Sequence, residues 1–355
     1  MKILLYTDVH WSSTSSIIRS RGTRYSTRLE NLLNSVNWAE QQAALHECEC
    51  VMCLGDFFDK SNLNAEEITA LQDITWANKN GENIPHFFIV GNHESDVASL
   101  NNSSTSALKK LDNFYIINEV FTFGEVNQPN CFICIPYMDD DNRPTIESLI
   151  TDEIKQYTTY IFSHNDIKMR YGAYESTHGF DVEDIEKNCT LFLNGHLHNT
   201  DGNGFCKNGY NLGNLSGQNF SEDATQYSHG VWILDTITRS LEFIENPYAF
   251  NFYKVQVDNE EDLTNLDLFV INKNNAVVSV KCISHLVEQC RKMLQDKNNI
   301  VEFKLMSFEE STGAEQDMSQ IELKTIDHLE QFNLFCLNKL GTSDIVKAEI
   351  GEVIK

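Results

Sequence analysis

Five short polar clusters punctuate this chain in a fixed order: Asp8-Val9-His10, Gly55-Asp56-Phe57-Phe58-Asp59, Gly91-Asn92-His93-Glu94, Ser163-His164 and Gly195-His196-Leu197-His198. Carboxylates, imidazoles and amide oxygens of this kind hold pairs of divalent cations, and such a pair is a device for attacking phosphorus. A two-ion site needs one carboxylate that bridges ions about 3.5–4 Å apart. Asp56 is the candidate bridge, with Gly55 letting the chain turn sharply behind it. Asp8, His10 and His198 are assigned to one ion, and Asn92, His164 and His196 to the other. His196 and His198 are two residues apart, so a regular strand would point them to opposite faces, and both can serve only from an irregular loop. His93 follows a ligand without needing to be one and is placed as the general acid for a leaving alkoxide. Asp59 is read as the group that orients His93 or another imidazole. Any single cluster is ordinary, since buried histidines and turn aspartates are common. Five in order, each behind an apolar run, are not.

Those apolar runs are the elements that must position the clusters. Ile3–Tyr6, Val51–Leu54, His86–Val90, Tyr160–Phe162 and Leu191–Leu193 are short and open directly into polar loops, as buried strands do. Ligands then collect along one edge of a buried sheet, where α/β folds place their sites. Residues 28–47 carry apolar positions 29, 32, 33, 36 and 39 at helical spacing. Further helices are expected over 64–79, 103–111 and 145–156, and further strands at 131–136 and 160–163. The alternation favours βαβ units. Beyond Gly195 the texture turns to glycine, asparagine and short strands near 209–217, 230–235 and 239–244, which predicts a second sheet stacked on the first. The fold class is therefore α/β, with two sheets face to face between layers of helices. Pro247 marks a boundary. A smaller β-α-β segment follows, with strands at 252–257, 276–280 and 300–306 and a helix at 285–294. An amphipathic helix is expected at 321–340. The domain boundaries are 1–250, 251–310 and 311–355.

Composition narrows the classes. With 355 residues and 41% hydrophobic content there is material for one large and one small core. No apolar run approaches the roughly 20 residues that span a bilayer, so no membrane association is expected. The start of the chain lacks the h-region of a signal peptide. Ten cysteines form no paired ladder, and Cys131-x-x-Cys134 lacks the second pair of a zinc site. A reducing cytoplasm, bacterial or that of a phage-infected host, is the expected location. A net charge of −25 argues against a protein that coats DNA. Arg19, Arg21, Arg24 and Arg28 nevertheless lie within ten positions just after the first cluster. They either grip substrate DNA phosphates or form local salt bridges at a solvated helix start, and the spacing does not decide between these.

The five clusters resemble, block by block, those of the calcineurin-like metallophosphoesterase superfamily. A closer resemblance is to the SbcD-type nuclease subunit of the double-strand-break repair complex, in its short bacteriophage form. Gly55-Asp-Phe-Phe-Asp59 is similar to that family's Gly-Asp-Leu-Phe-Asp, Gly195-His-Leu-His198 to its Gly-His-Ile-His, and Gly213–Glu222 to its Gly-Ser…Phe-x-Glu stretch. The resemblance covers residues 1–250 well and the remainder only in layout. It implies a DNA exo- or endonuclease with two Mn²⁺ ions, Mg²⁺ being the less favoured choice because imidazole ligands suit it poorly. It also implies a DNA-capping domain over 251–310, a homodimer, and a C-terminal helix that meets an SMC-like, coiled-coil ATPase of the SbcC type. Two features depart from the pattern. Glu94 stands where the nucleases usually have Asp, giving the Gly-Asn-His-Glu wording of Ser/Thr phosphatases. Those phosphatases add arginines at the places of Val90 and Lys60 to hold a phosphate dianion, and here that grip is missing. The acidic charge is the second departure. The alternatives are a metallophosphatase or cyclic-nucleotide phosphodiesterase and, outside enzymes, a scaffold that only binds a partner.

Overall fold

The computed structural model describes residues 1–308 apart from 97–98, 126–127, 172–173, 272–273 and 296. Met1–Glu309 form one compact unit. The expected helix at 321–340 lies outside the described residues.

Two six-stranded sheets make the body. The first contains β1 (Lys2–Tyr6), β2 (Cys50–Cys53), β3 (His86–Ile89) and β4 (Phe114–Ile117), all parallel. The second contains β5 (Phe121–Gly124), β6 (Asn130–Ile135), β7 (Thr158–Ser163), β8 (Leu191–Asn194), β9 (Gly204–Cys206) and β10 (Gly209–Asn211). Strands β6, β7, β8 and β10 are parallel, with β5 and β9 antiparallel at the two edges. The hairpin β11 (Gly230–Asp235) and β12 (Ser240–Glu245) completes the first sheet, β11 running antiparallel to β1. The strand orders are β12-β11-β1-β2-β3-β4 and β9-β10-β8-β7-β6-β5.

The period of two along each strand sorts the core into layers. Ile3, Leu5, Cys50 and Met52 from the first sheet meet Phe132, Cys134, Tyr160 and Phe162 from the second in the space between the sheets. Leu4, Tyr6, Val51 and Cys53 face the other way, under helix α1 (Thr27–Leu45) and its stripe of Leu29, Leu32, Val36 and Ala39. On the far side Ile133, Ile161 and Phe192 pack beneath α3 (Ile146–Leu149) and α4 (Val182–Asn188). The result is an αββα sandwich, the two stacked sheets between helices that the sequence predicts. Each fully buried aliphatic or aromatic side chain contributes about 1.5–3 kcal/mol to it.

Helix α1 starts where Ser26 accepts a hydrogen bond from the Leu29 amide. Helix α2 (Ala65–Leu71) is shorter than the 64–79 expected, although Asn64 and Glu67 form a full capping box at its start. The segment 103–111 is a 3₁₀ turn at Ser104–Leu108, and 145–156 is broken into α3 and a 3₁₀ turn at Ile154–Gln156.

From Asn251 the chain builds a separate parallel sheet of β13 (Asn251–Val257), β14 (Ala276–Ile283) and β15 (Ile300–Phe308). Helices α5 (Glu260–Ile271) and α6 (Val287–Gln295) cover one face through Leu263, Leu266, Cys290 and Leu294. The opposite face starts apolar, with Phe252 and Val277 against Ile18 and Phe250. It then becomes polar: Lys254, Ser279 and Lys304 lie in register across the strands, followed by Gln256, Lys281 and Met306. Among the described residues no helix is long and apolar enough to cross a membrane.

Candidate metal centre

Five parallel strands deliver the clusters to one edge. Strands β1, β2 and β3 lead into the loops of Asp8 and His10, Asp56 and Asn92, and β7 and β8 lead into those of His164, His196 and His198. Parallel pairing within each sheet puts its ligand loops on one edge of that sheet. The loops are tied by main-chain bonds, Asp8 N donating to the Gly55 carbonyl and His10 N to the Asp56 carbonyl.

The donor atoms fall into two groups around one carboxylate. Asp56 Oδ2 lies 3.2 Å from His164 Nε2 and 3.8 Å from His10 Nε2. On one side Asp8 Oδ1 is 3.8 Å from His10 Nε2 and 3.7 Å from His198 Nε2, and the two imidazole nitrogens are 3.0 Å apart. On the other side the Asn92 amide oxygen is 3.3 Å from His164 Nε2 and 3.1 Å from His196 Nδ1. The seven residues assigned as ligands thus come together, and in the two sets expected from the sequence. Asp8 Oδ1 is buried with no hydrogen-bond partner, whereas Oδ2 takes Thr7 Oγ1 at 2.7 Å and the His196 amide at 3.0 Å. A buried carboxylate oxygen left bare among converging imidazole nitrogens fits a divalent cation. Asp56 Oδ2 faces His164 and His10 from between the two groups, and the residues present fit a pair of ions.

Each imidazole is fixed from behind. His10 Nδ1 pairs with Asp59 at 3.1 Å, His198 Nδ1 with Glu222 at 2.9 Å, and His164 Nδ1 with the Leu54 carbonyl at 2.6 Å. These bonds select the nitrogen that faces the ions. Asp59 therefore orients His10 through its carboxylate. It holds His93 through its main-chain carbonyl, 3.1 Å from His93 Nδ1, and its carboxylate is 3.9 Å from that ring. Glu222 is buried and also accepts from Asn214, Asn219 and the Gln218 amide. Asp166, 3.4 Å from His196 Nε2, and Tyr137, whose ring centre is 5.9 Å from that of His196, complete the rim.

The electrostatics suit cations. Burial alone would raise Asp8, but the facing imidazoles win and lower it to about 2, and Asp56 is driven further down by His164. Burial opposes charge on His10, yet Asp59 and Asp8 outweigh it and raise the ring to about 10. Four ligands, Asp8, His10, Asp56 and His196, have φ between 48° and 72°, the left-handed region that side chains other than glycine avoid. Gly55 has φ of 99°, and a β-carbon there would lie 2.2 Å from the His164 ring. A β-carbon at Gly91 would meet Asp56 Oδ1 at the same distance.

The four arginines do not form one grip. Arg21 is paired with Glu66 at 3.0 Å, and Arg24 pairs with Asp73, so these two form salt bridges, with partners on a distant part of the chain rather than local ones. Arg19 is exposed and caps the Ser16 carbonyl. Arg28 is buried and donates to the Gly217 carbonyl at 2.8 Å. Glu222, Asp166 and Tyr137 were not singled out as site residues from the sequence. Only Glu222 had a signal, as the end of the Gly213–Glu222 segment. A larger cavity of about 620 Å³, lined by Phe123, Glu125, Glu153 and Tyr157, contains no histidine and none of these ligands.

No curated protein sequence matches the chain. Among solved structures, a dimetal phosphatase from Danio rerio aligns at 15% identity and a TM-score of 0.39, covering 66% of this chain and 91% of that one. A protein of unknown function from Aquifex aeolicus aligns at 15% identity and a TM-score of 0.26, covering 60% and 88%. The family model described as calcineurin-like phosphoesterase matches residues 1–231, a stretch that begins at β1 and runs through all five ligand loops to β11. The chain belongs to the calcineurin-like phosphoesterase family, metal-dependent hydrolases of phosphoesters that hold two divalent ions.

Proposed function

We propose that this hydrolase cleaves phosphodiesters, and that its substrate is DNA, as for an SbcD-type nuclease subunit. One observation carries the preference for a diester. The two places from which a phosphatase would hold a monoester dianion offer no free cation: Val90 is apolar and buried, and Lys60 Nζ is bound to buried Glu67 at 3.0 Å. A diester carries one charge fewer and needs less of such a grip. The lysines of the small sheet support a polyanionic substrate. In a chain of net charge −25, Lys254, Lys281 and Lys304 sit exposed on one open face, with no ion pair among the described residues.

The protein's own groups divide the work. Asp8, His10, Asp56, Asn92, His164, His196 and His198 hold the ions, with Mn²⁺ favoured by the imidazole share of the set. Such ions supply electrophilic charge to the phosphoryl group and acidify the attacking water. Asp59, Glu222 and the Leu54 carbonyl keep the ligand rings in place. His93, whose side chain is 44% exposed, is held at Nδ1 by the Asp59 carbonyl, which leaves Nε2 to protonate the departing oxygen. Homodimer formation and a coiled-coil ATPase partner belong to the same reading and rest on the family resemblance and the pattern at 321–340.

The test is a substrate comparison on the Mn²⁺-loaded full chain. A thymidine p-nitrophenyl phosphodiester is expected to turn over faster than p-nitrophenyl phosphate, and linear DNA to be degraded, with binding that weakens as salt rises. A clear preference for the monoester would transfer the function to the metallophosphatase reading, which the Gly-Asn-His-Glu wording favours.

A further inference from the structure

A cavity of about 200 Å³ opens directly beside the Asp8 side of the metal centre, with His10 and Asp59 in its wall. At roughly 30 Å³ per water it has room for a phosphate group with water around it. Its other walls are donors: Ser12, Ser15, Ser16, Gln218, Asn219 and Arg28. Arg28 is the unusual member. It is only 4% exposed, and among the described residues its one side-chain hydrogen bond runs from Nη1 to the Gly217 carbonyl. A guanidinium has five N–H donors, so most of Arg28's are uncommitted. Burial lowers its pKa to about 10, which still leaves it a cation at neutral pH. The Glu222 and Asp59 carboxylates lie near enough to favour its charge, but neither hydrogen-bonds it: Asp59 is engaged by His10, and Glu222 by His198, Asn214 and Asn219. A buried guanidinium with most of its donors uncommitted, in a wall of hydroxyls and amides, is equipped to take up a phosphate oxygen.

We infer that this cavity is a second phosphate subsite, which receives the phosphodiester adjacent to the one being cleaved. The inference rests on the phosphodiesterase reading and sharpens it: the preferred substrate carries at least two successive phosphates. Ser16 also lines a neighbouring groove with Arg19, Phe220 and Lys304, so a longer strand has a way out of the cavity toward the open face of the small sheet. Arg28 here is a specificity residue that acts through binding and takes no part in bond breaking.

The experiment compares p-nitrophenyl esters of thymidylates that contain one phosphate or two, using the Mn²⁺-loaded full chain. A charge-assisted pair to phosphate is expected to raise kcat/KM about tenfold or more for the two-phosphate ester, mainly through KM. In Arg28→Gln this ratio falls to near one, and in Arg28→Lys part of it returns. Ser16→Glu, at an exposed position on the cavity rim, lowers the same ratio by repulsion and decides the matter if the Arg28 variants fail to fold. A second readout avoids turnover: the metal-free chain binds inorganic pyrophosphate, and Arg28→Gln and Ser16→Glu each weaken that binding about tenfold. A ratio near one in the unsubstituted protein, or a ratio that survives Arg28→Gln and Ser16→Glu, overturns the subsite while leaving the diesterase reading intact. Failure to cleave either ester with both ions bound overturns the diesterase reading itself.

Discussion

His93 is separable from the ligands beside it because its side chain is half-exposed while Asp56 and His164 are buried. A deoxyribose oxygen is a poor leaving group without a proton, and p-nitrophenolate leaves readily without one. His93→Asn is therefore expected to retain both ions and to lose about 10²–10⁴-fold in the rate of DNA cleavage, with a much smaller loss on the p-nitrophenyl diester. Metal analysis and the two assays run in parallel check this. Equal losses on the two substrates would mean that His93 positions the phosphate. The convergence of the assigned ligands was legible in the sequence because their types are few and their spacing is local. Glu222 and Asp166 were not, since a carboxylate that supports an imidazole from a distant loop has no local pattern. The fate of Arg21 and Arg24 was equally closed to inspection, because Glu66 and Asp73 are more than 40 residues away.

Loops held by strand ends need braces, and Glu94 is one. Its buried carboxylate accepts from the Phe58 amide at 3.1 Å and from the Gly91 amide at 2.8 Å, tying the loop of Asp56 to the loop of Asn92. This job accounts for a residue whose family wording pointed two ways. Glu94→Ala leaves two buried amides unpaired and is expected to cost about 2–4 kcal/mol, at roughly 1–2 kcal/mol per amide. Urea denaturation and metal retention of the purified variant would show it, and an unchanged midpoint would show that the loops keep their shape unaided. The five ligand-bearing strands and α1 were legible, because apolar runs and a 3.6-residue stripe are strong signals. Helix α5 escaped, since its first turn is Glu260, Glu261 and Asp262 and its apolar positions crowd toward the end. The expected helix at 103–111 shrank to a 3₁₀ turn, in a segment rich in serine, threonine and asparagine, which compete for backbone bonds.

At the scale of the molecule, every described core cluster lies between residues 1 and 308. Truncation before Ile321 is therefore expected to leave a folded, metal-binding enzyme while removing the segment proposed to meet the ATPase. Circular dichroism, metal analysis and a pull-down with the partner would check this, and an insoluble product would place 321–340 in the core. Two stacked sheets were legible, but not which strands build them: the texture after Gly195 predicted a second sheet from 209–244, whereas β11 and β12 complete the first sheet and the ligand-bearing β7 and β8 lie in the second. The cationic face of the small sheet likewise emerges only when three strands set their lysines in register. One consequence follows from where the ligands come from. The first sheet supplies Asp8, His10, Asp56 and Asn92, and the second supplies His164, His196 and His198, so bound ions clamp the two halves of the sandwich at that edge. Any ligand that binds only the folded chain stabilises it, by about 2.7 kcal/mol at a hundredfold excess over its Kd. Cellular metal supply then governs the lifetime of the protein as well as its turnover number. Starved of metal, the enzyme opens more often at this edge, proteases find it, and its abundance falls together with its activity.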